Sequence, residues 1–433
     1  MTGVPATPPV RVEQALRLLP ELEVLAPLRA LLLSAARADD RTQWGSSGPY
    51  LTVGKRGVQP ADLRTQIGAA IQRVAEHLTT LFDCYLEALE NQQRRDGAGS
   101  VAALLTAGRS EEATGRRGAA RAWYEVALTV SEGLQDRGPE IETLRILGHL
   151  ATRQGRHGVA ARTYQRSFVL AEAQYDQPGA IAAAQGLGNV AFAQGQWQGA
   201  RAWYQRALRL ADAAGNAASV GQIEHQLAGL ALREGDHGAA EEHLARARER
   251  FEKLADAVEM ARVLNTEGRL EADLNRQGRA AGAYREALAW AQRGESEPGL
   301  EITIRSNIAE LSLQGGRALE AEEELRRAEQ IAIAHNLTPR LIEIYTLMGR
   351  IRGLQKDETG FVFFEQAIEL CRTLDRSPML EGEVYHEYGA FRNRLGQREE
   401  ARAYLERARE VFESVGGGPK LDEVRAELQQ MSA

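Results

Sequence analysis

Cysteine is almost absent: of 433 residues only Cys84 and Cys371 are cysteines, far apart and without CxxC or metal-finger spacing. That excludes a disulfide-framed scaffold and a cysteine-held zinc site, and it fits a reduced, cytoplasmic location. Aromatic residues make up only 6% and β-branched residues are sparse, which argues against a large sheet. No long hydrophobic run is present. The stretch LAPLRALLLSAA near the start is interrupted by Pro27 and Arg29 and is too short to span a bilayer. The opening MTGVPATPPVRVEQAL has no charged-then-apolar leader, so no signal peptide is expected. An excess of positive charge is missing too. The net charge is -7, so no global basic field draws in nucleic acid, and no short helix-turn-helix pattern appears.

Catalytic motifs are equally scarce. There is no HExxH and no GxSxG, and GGGPK at 416–420 lacks the spacing of a phosphate loop. DGAGS at 96–100 is a lone GxG with no strand before it. The eight histidines are scattered, and His157 and His237 fall in the same turn slot of GRHG and GDHG. Cys84 and Cys371 each lie on an apolar helix face and read as core residues. The expectation is a non-enzyme with no cofactor and no metal.

What the chain has in abundance is Ala, Leu, Arg, Glu and Gln, all helix formers. It also repeats itself: GAARAWYEVAL begins at Gly118 and GARAWYQRAL at Gly199. The period behind this is about 40 residues. A small residue recurs at Ala120, Ala160, Ala200, Ala240, Ala280, Ala321, Gly360 and Ala401. A large one follows at Tyr124, Tyr164, Tyr204, Leu244, Tyr284, Leu325, Phe364 and Leu405, and a second small one at Ala127, Ser167, Ala207, Ala247, Ala287, Ala328, Ala367 and Ala408. At helical periodicity these three slots share one narrow stripe. Upstream runs a further small series: Gly108, Gly148, Gly188, Ala228, Gly268, Ala309, Gly349 and Gly389. Each copy therefore reads as two helices, the first ending near a Gly turn at Gly115, Gly155, Gly195, Gly235, Gly316 or Gly396. Gly-Pro and Pro-Gly pairs separate the copies.

The leucine-glycine pair on the first helix and the alanine-aromatic-alanine triplet on the second resemble the tetratricopeptide repeat family in a long-unit form. The usual unit is about 34 residues; here copies are about 40 long and the proline falls some six residues later. Branches of the family with a longer unit include bacterial peptide-sensing regulators and cell-polarity adaptors. The resemblance implies an all-α fold, a right-handed α-solenoid of stacked antiparallel helix pairs, with a protein or peptide as partner. Residues 99–418 are expected to hold eight repeats. Residues 419–433 form a capping helix with Leu421, Val424 and Leu428 on one side. Residues 1–98 are expected to be a helical N-terminal segment, helical over 10–38 and 61–95, with a long loop at 39–59.

That loop carries Trp44 and Tyr50. It reads either as a surface loop or short hairpin, or as an arm for self-association that makes a homodimer. Residues 1–100 contain 11 Lys and Arg against 11 Asp and Glu, so they are not a basic DNA-binding arm.

Function is sought on the first helices. The slots three before and one after the upstream small series point away from the core. They are Arg145 and His149, Gln185 and Asn189, His225 and Gly229, Asn265 and Arg269, Ser306 and Glu310, Thr346 and Arg350, and His386 and Ala390. Arg153, Arg233 and Arg262 lie nearby on the same helices. From 145 to 269 these two slots hold no acid. Asn and Gln both donate and accept, matching an extended peptide backbone; arginine forks pair with carboxylates. The row therefore suits an extended peptide that is acidic or has a free C-terminus, bound by an adaptor or by a sensor that changes shape. The plainer alternative is a set of ordinary solvated helix residues.

Overall fold

The computed structural model describes residues 9–11, 50–52, 81, 84–88, 91, 95–113, 116–293, 297–373, 378–415 and 419–432. The chain divides into two compact units, one of residues 1–150 with 169–176, the other of 151–168 with 177–433.

In the first unit, strand β1 (Pro9–Arg11) pairs antiparallel with β2 (Tyr50–Thr52), Val10 opposite Leu51 and Arg11 opposite Tyr50. This corrects the helical expectation at residues 10 and 11; Tyr50, expected in a surface loop or short hairpin, stands in a strand whose partner is some forty residues away. Pro9 has its φ fixed in the extended range, and Val10 and the Tyr-Leu-Thr run are strand formers. The rest of the expected 10–38 helix, and Trp44, lie outside the described residues. Of the expected 61–95 helix, residues 81, 84–88 and 91 are described and helical, and Arg95 is in a turn; Leu81 and Tyr85 are buried.

Helices then alternate with tight turns. In the first unit stand α1 (Gly97–Ala113), α2 (Arg117–Glu132) and most of α3 (Gly138–Arg153). Buried Ser100 donates to the Ala88 carbonyl at 3.1 Å, tying α1 to the segment before it. Helix α4 (His157–Ala173) is divided, its residues up to Phe168 in the second unit and the rest in the first. In the second unit follow paired helices: α5 (Gln177–Ala193) with α6 (Trp197–Ala213), α7 (Ala217–Glu234) with α8 (His237–Leu254), and α9 (Ala257–Asp273) with α10 (Gln277–Ala291). Next come α11 (Pro298–Gln314) with α12 (Ala318–Ala334), α13 (Thr338–Leu354) with α14 (Gly360–Thr373), and α15 (Pro378–Arg394) with α16 (Arg398–Ser414); α17 (Pro419–Ser432) follows. Each helix packs on its partner and each first helix on the next first helix, so the second unit is a stacked array of antiparallel helix pairs, an α-solenoid. Pro298, Pro339 and Pro378 sit in the first turns of α11, α13 and α15, where the missing N–H costs nothing.

The sequence stripe is the core. Ala200, Ala207, Ala240, Ala247, Ala280 and Ala287 have no exposed surface. The upstream small slot lies directly under the large one. A Cβ added at Gly108, Gly188, Gly268 or Gly349 would fall 2.2 to 2.5 Å from the ring of Tyr124, Tyr204, Tyr284 or Phe364. Where the small slot is alanine, at Ala228 and Ala309, the large slot is the slimmer Leu244 or Leu325, and each pair shares one core cluster. At these positions aromatic rings close onto glycine, and leucine onto alanine, so combined volume is held nearly constant; Gly389 under Leu405 departs from this pairing. The Trp-Tyr doublets of the repeated segment belong to this packing: Trp123 is fully buried, and half-buried Trp203 meets Phe168 edge-to-face at 5.6 Å. In the turns, Gly155, Gly195, Gly235, Gly316 and Gly396 have φ between 71° and 80°, as the helix-stop reading expects; Gly115 lies outside the described residues.

Gly268→Ala drives a methyl into the Tyr284 ring, and overpacking of this kind costs about 1–3 kcal/mol. Gly229→Ala meets nothing within 4 Å and removes a helix-interior glycine, a gain of up to about 1 kcal/mol. Urea unfolding of the two variants is expected to move the midpoint in opposite directions; equal midpoints would contradict the packing assignment.

Candidate functional site

The first helices α7, α9, α11, α13 and α15 stand side by side, each showing one polar face beyond the core. Polar bonds cross from each helix to the next. His225 Nε2 lies 2.7 Å from Thr266 Oγ1, Asn307 Nδ2 donates to Asn265 Oδ1 at 2.8 Å, Arg350 donates to Glu310 at 2.6 Å, and His386 Nε2 lies 3.0 Å from Glu427. These bonds tie one repeat to the next and fix the side chains that form the floor between helices.

One pocket opens over this floor, with a volume of about 440 Å³. His225, Arg262, Asn265 and Thr266 contribute from α7 and α9, Leu300 and Thr303 from α11, and Arg340 from the first turn of α13, with Glu297 in the turn before α11. Of the sequence candidates it brings together His225, Arg262 and Asn265. Arg269 is exposed on α9, and its charge is felt at His225. Arg145 and His149 belong to α3 in the first unit, half-buried and exposed respectively, and Arg153 is exposed at the end of that helix. On α5, Gln185 is half-buried, while exposed Asn189 accepts from the Tyr204 hydroxyl at 2.7 Å. These five lie outside the pocket.

The pocket carries acids beside the expected cationic and amide-bearing row. Arg262 reaches both carboxylate oxygens of Glu297 at 2.6 Å, and Arg340 holds Glu343 at 2.7 Å. The acids come from slots outside the two inspected in the sequence. Burial, then the charges of Arg262 and Arg269, push the His225 imidazole down to about 4, so it is neutral at physiological pH. Thr266 Oγ1 also lies 3.2 Å from the Arg262 carbonyl and donates to it, which makes His225 Nε2–H the donor to Thr266. The floor is thus uncharged and rich in paired donors and acceptors, with arginines at its margin.

Thr266, Glu297, Thr303 and Arg340 were missed in the sequence. A signal for this face exists. The slot six before the small series lies on the same face as the slot three before it and reads Gln222, Arg262, Thr303, Glu343 and Glu383 along the array. The remaining chemistry-bearing candidates fall elsewhere. His157 and His237 open α4 and α8 as matched turn residues. Cys84 is buried, and burial pushes the half-buried Cys371 thiol up to about 12, away from thiolate chemistry. No helix among the described residues is long and apolar enough to cross a membrane.

A tetratricopeptide repeat family model matches residues 140–213, from the start of α3 to the end of α6. Over those residues the chain is similar to the tetratricopeptide repeat family. No curated protein matches its sequence closely enough to count as a relative. Among solved structures, the chain is similar to a Rap protein complexed with Competence and Sporulation Factor, at 13% identity over 91% of this chain and 98% of that one, with a TM-score of 0.50. A Rap conjugation gene regulator of plasmid pLS20, in complex with the Phr* peptide, is 14% identical over 83% and 88% with a TM-score of 0.46. The apo quorum sensor NprR from B. thuringiensis is 12% identical over 80% and 100% with a TM-score of 0.44. At these identities the likeness is one of fold.

His225 gives this site a measurable signature. Its folded pKa lies below the unfolded value of 6.5, so as pH falls the unfolded chain takes up the proton first. This residue therefore withdraws stability progressively between about pH 6.5 and pH 4, and none of that loss is present above 6.5. Histidine NMR titration, with His225→Gln to assign the signal, is expected to show a midpoint near pH 4; a midpoint near 6.5 would contradict the buried, arginine-flanked placement.

Proposed function

We propose that this chain is a non-enzymatic peptide-binding protein that holds an extended segment of a partner along its first-helix face. Residues 99–418 serve as the eight-repeat array, 419–433 as its cap and 1–98 as a separate N-terminal segment. The observation that carries the reading is the pocket over α7 to α13. Neutral His225, Thr266 and Asn265 offer paired donors and acceptors for a peptide backbone, and Arg262 and Arg340 stand at its margin for carboxylates. Within the second unit, Arg153 at the end of α3, Gln185 and Asn189 on α5 and Arg269 on α9 would extend contact beyond the pocket, and in the first unit Arg145 and His149 would make peptide contacts of their own.

A second reading is favoured by the fold shared with a Rap protein complexed with Competence and Sporulation Factor: a sensor in which a small signal alters the array and the N-terminal segment passes the change on. Both readings need the same groove and differ in what binding does.

Affinity selection from a mixed library of synthetic heptapeptides tests the groove. The wild-type chain is expected to enrich a defined subset. Arg262→Glu, which places a second acid beside Glu297 at an exposed position, is expected to weaken that subset about tenfold or more with little change in unfolding midpoint. Equal enrichment by both chains would remove the groove from consideration. Small-angle scattering with an enriched peptide then separates the readings: an unchanged curve supports the adaptor, a changed radius of gyration the sensor.

A further inference from the structure

Two cavities meet on α13. The 440 Å³ pocket takes Arg340 from the first turn of that helix. A second cavity of about 240 Å³ takes Glu343, one turn further on, together with Glu383 and Glu387 of α15. The Arg340–Glu343 ion pair, at 2.7 Å, forms the wall between them. Its two side chains are 38% and 42% exposed, and an ion pair so solvated is weakly held and exchanges partners readily. Arg305 on the neighbouring α11 is different. It is only 10% exposed and clamped between Glu301 and Glu324, so breaking it would strand a buried charge. Arg305 is structural, whereas Arg340 can turn.

The groove changes sign across this wall. The slot six before the small series is Arg262 on α9, Thr303 on α11, Glu343 on α13 and Glu383 on α15. In the second cavity three carboxylates face two cations, Arg350 and Lys420. Arg350 is held by Glu310 at 2.6 Å and reaches Glu387 more loosely at 3.8 Å, and Lys420 is held by Glu423 at 3.4 Å. Glu383 has no ion-pair or hydrogen-bond partner among the described residues.

We propose that the two cavities are one dipolar peptide subsite, in which Arg340 and Arg262 take the C-terminal carboxylate of a peptide while a basic side chain of the same peptide lies among Glu343, Glu383 and Glu387. The Arg340–Glu343 pair opens to serve both ends. A ligand bearing only a carboxylate leaves Glu343 unpaired beside two other acids; one bearing only a cation leaves Arg340 unpaired. A ligand bearing both replaces one ion pair by two. The peptide also acquires a direction, its C-terminus over α9 and α11 and its basic residue over α13 and α15. This inference rests on the peptide-binding reading and narrows its ligand class from acidic segments to free C-termini preceded by Lys or Arg.

The test uses the full chain and four matched pools of synthetic hexapeptides: free-acid or amidated at the C-terminus, with or without Lys and Arg. Retained peptides are counted by mass spectrometry. Wild type is expected to prefer the free-acid, base-containing pool about tenfold over each of the other three. Arg340→Ala is expected to abolish the acid-over-amide preference, and Glu343→Gln the preference for a basic residue. Arg340→Glu combined with Glu343→Arg keeps an ion pair, and so the fold, and is expected to lose the preferred pool about tenfold. Wild-type retention of peptides without regard to terminus or base would overturn the dipolar subsite and leave peptide binding standing. Retention of nothing from any pool would overturn peptide binding and the subsite with it.

Discussion

Each repeat depends on one contact, a small residue of the first helix seated under a large side chain of the second. At Gly188 there is no space for a methyl between the helix and the Tyr204 ring, and at Gly268 none beneath Tyr284. Close approach of two helices needs a gap in one surface and a side chain to fill it. Once that contact sets which face of the first helix looks inward, the opposite slots are committed as well. They line up from repeat to repeat because each unit meets its neighbours in the same register. The row of polar side chains on α7 to α15 is thus a geometric consequence of the glycine-aromatic pairing, and its chemistry is left for the sequence to vary.

That variation has structural limits. Two adjacent first helices must satisfy the polar atoms caught between them, and the bonds His225–Thr266 and Asn307–Asn265 do so. Side chains in such bonds are held in place and offer their remaining donor or acceptor to a ligand at little entropic cost. His225 also serves electrostatically. Burial and two arginines keep it neutral, so the floor adds no charge of its own to compete with the margin. The arginines sort by burial: Arg305 is buried and clamped, while Arg262 and Arg340 are two-fifths exposed and paired to solvated acids.

The array was legible because its signal is redundant. The small-large-small stripe recurs every 40 residues or so, and a stripe needed for packing tolerates few residue types. The face of the first helices was legible in part. The slots holding His225 and Asn265 follow from helical geometry, and both enter the pocket. Arg340 and Glu297 did not follow, because they lie at a helix start and in an inter-repeat turn, where periodicity carries no information. The pairing of Arg262 with Glu297 was hidden for the same reason: it links residues 35 apart, across a repeat boundary. At the N-terminus the error was local. A pattern read as helix over 10–38 overlooked Pro9 just before it, whose fixed φ favours the extended backbone that β1 adopts.

The long repeat unit has a consequence for the groove. Six residues beyond the usual 34, shared between two helices, lengthen each by nearly a turn. The first helices here run to 17 or 18 residues on α7, α9, α11, α13 and α15. Their first turns carry Leu300 and Arg340, which border the larger pocket, and the next turn carries Glu343, which borders the smaller. Taking one turn from each helix leaves the glycine-aromatic contact untouched, since that contact lies eleven residues into the helix at Gly268 and Gly349. It would remove the residue that joins the two cavities. In this chain, then, the packing contact maintains the array, while the additional helical turn supplies the wall at which the groove changes from arginine to glutamate.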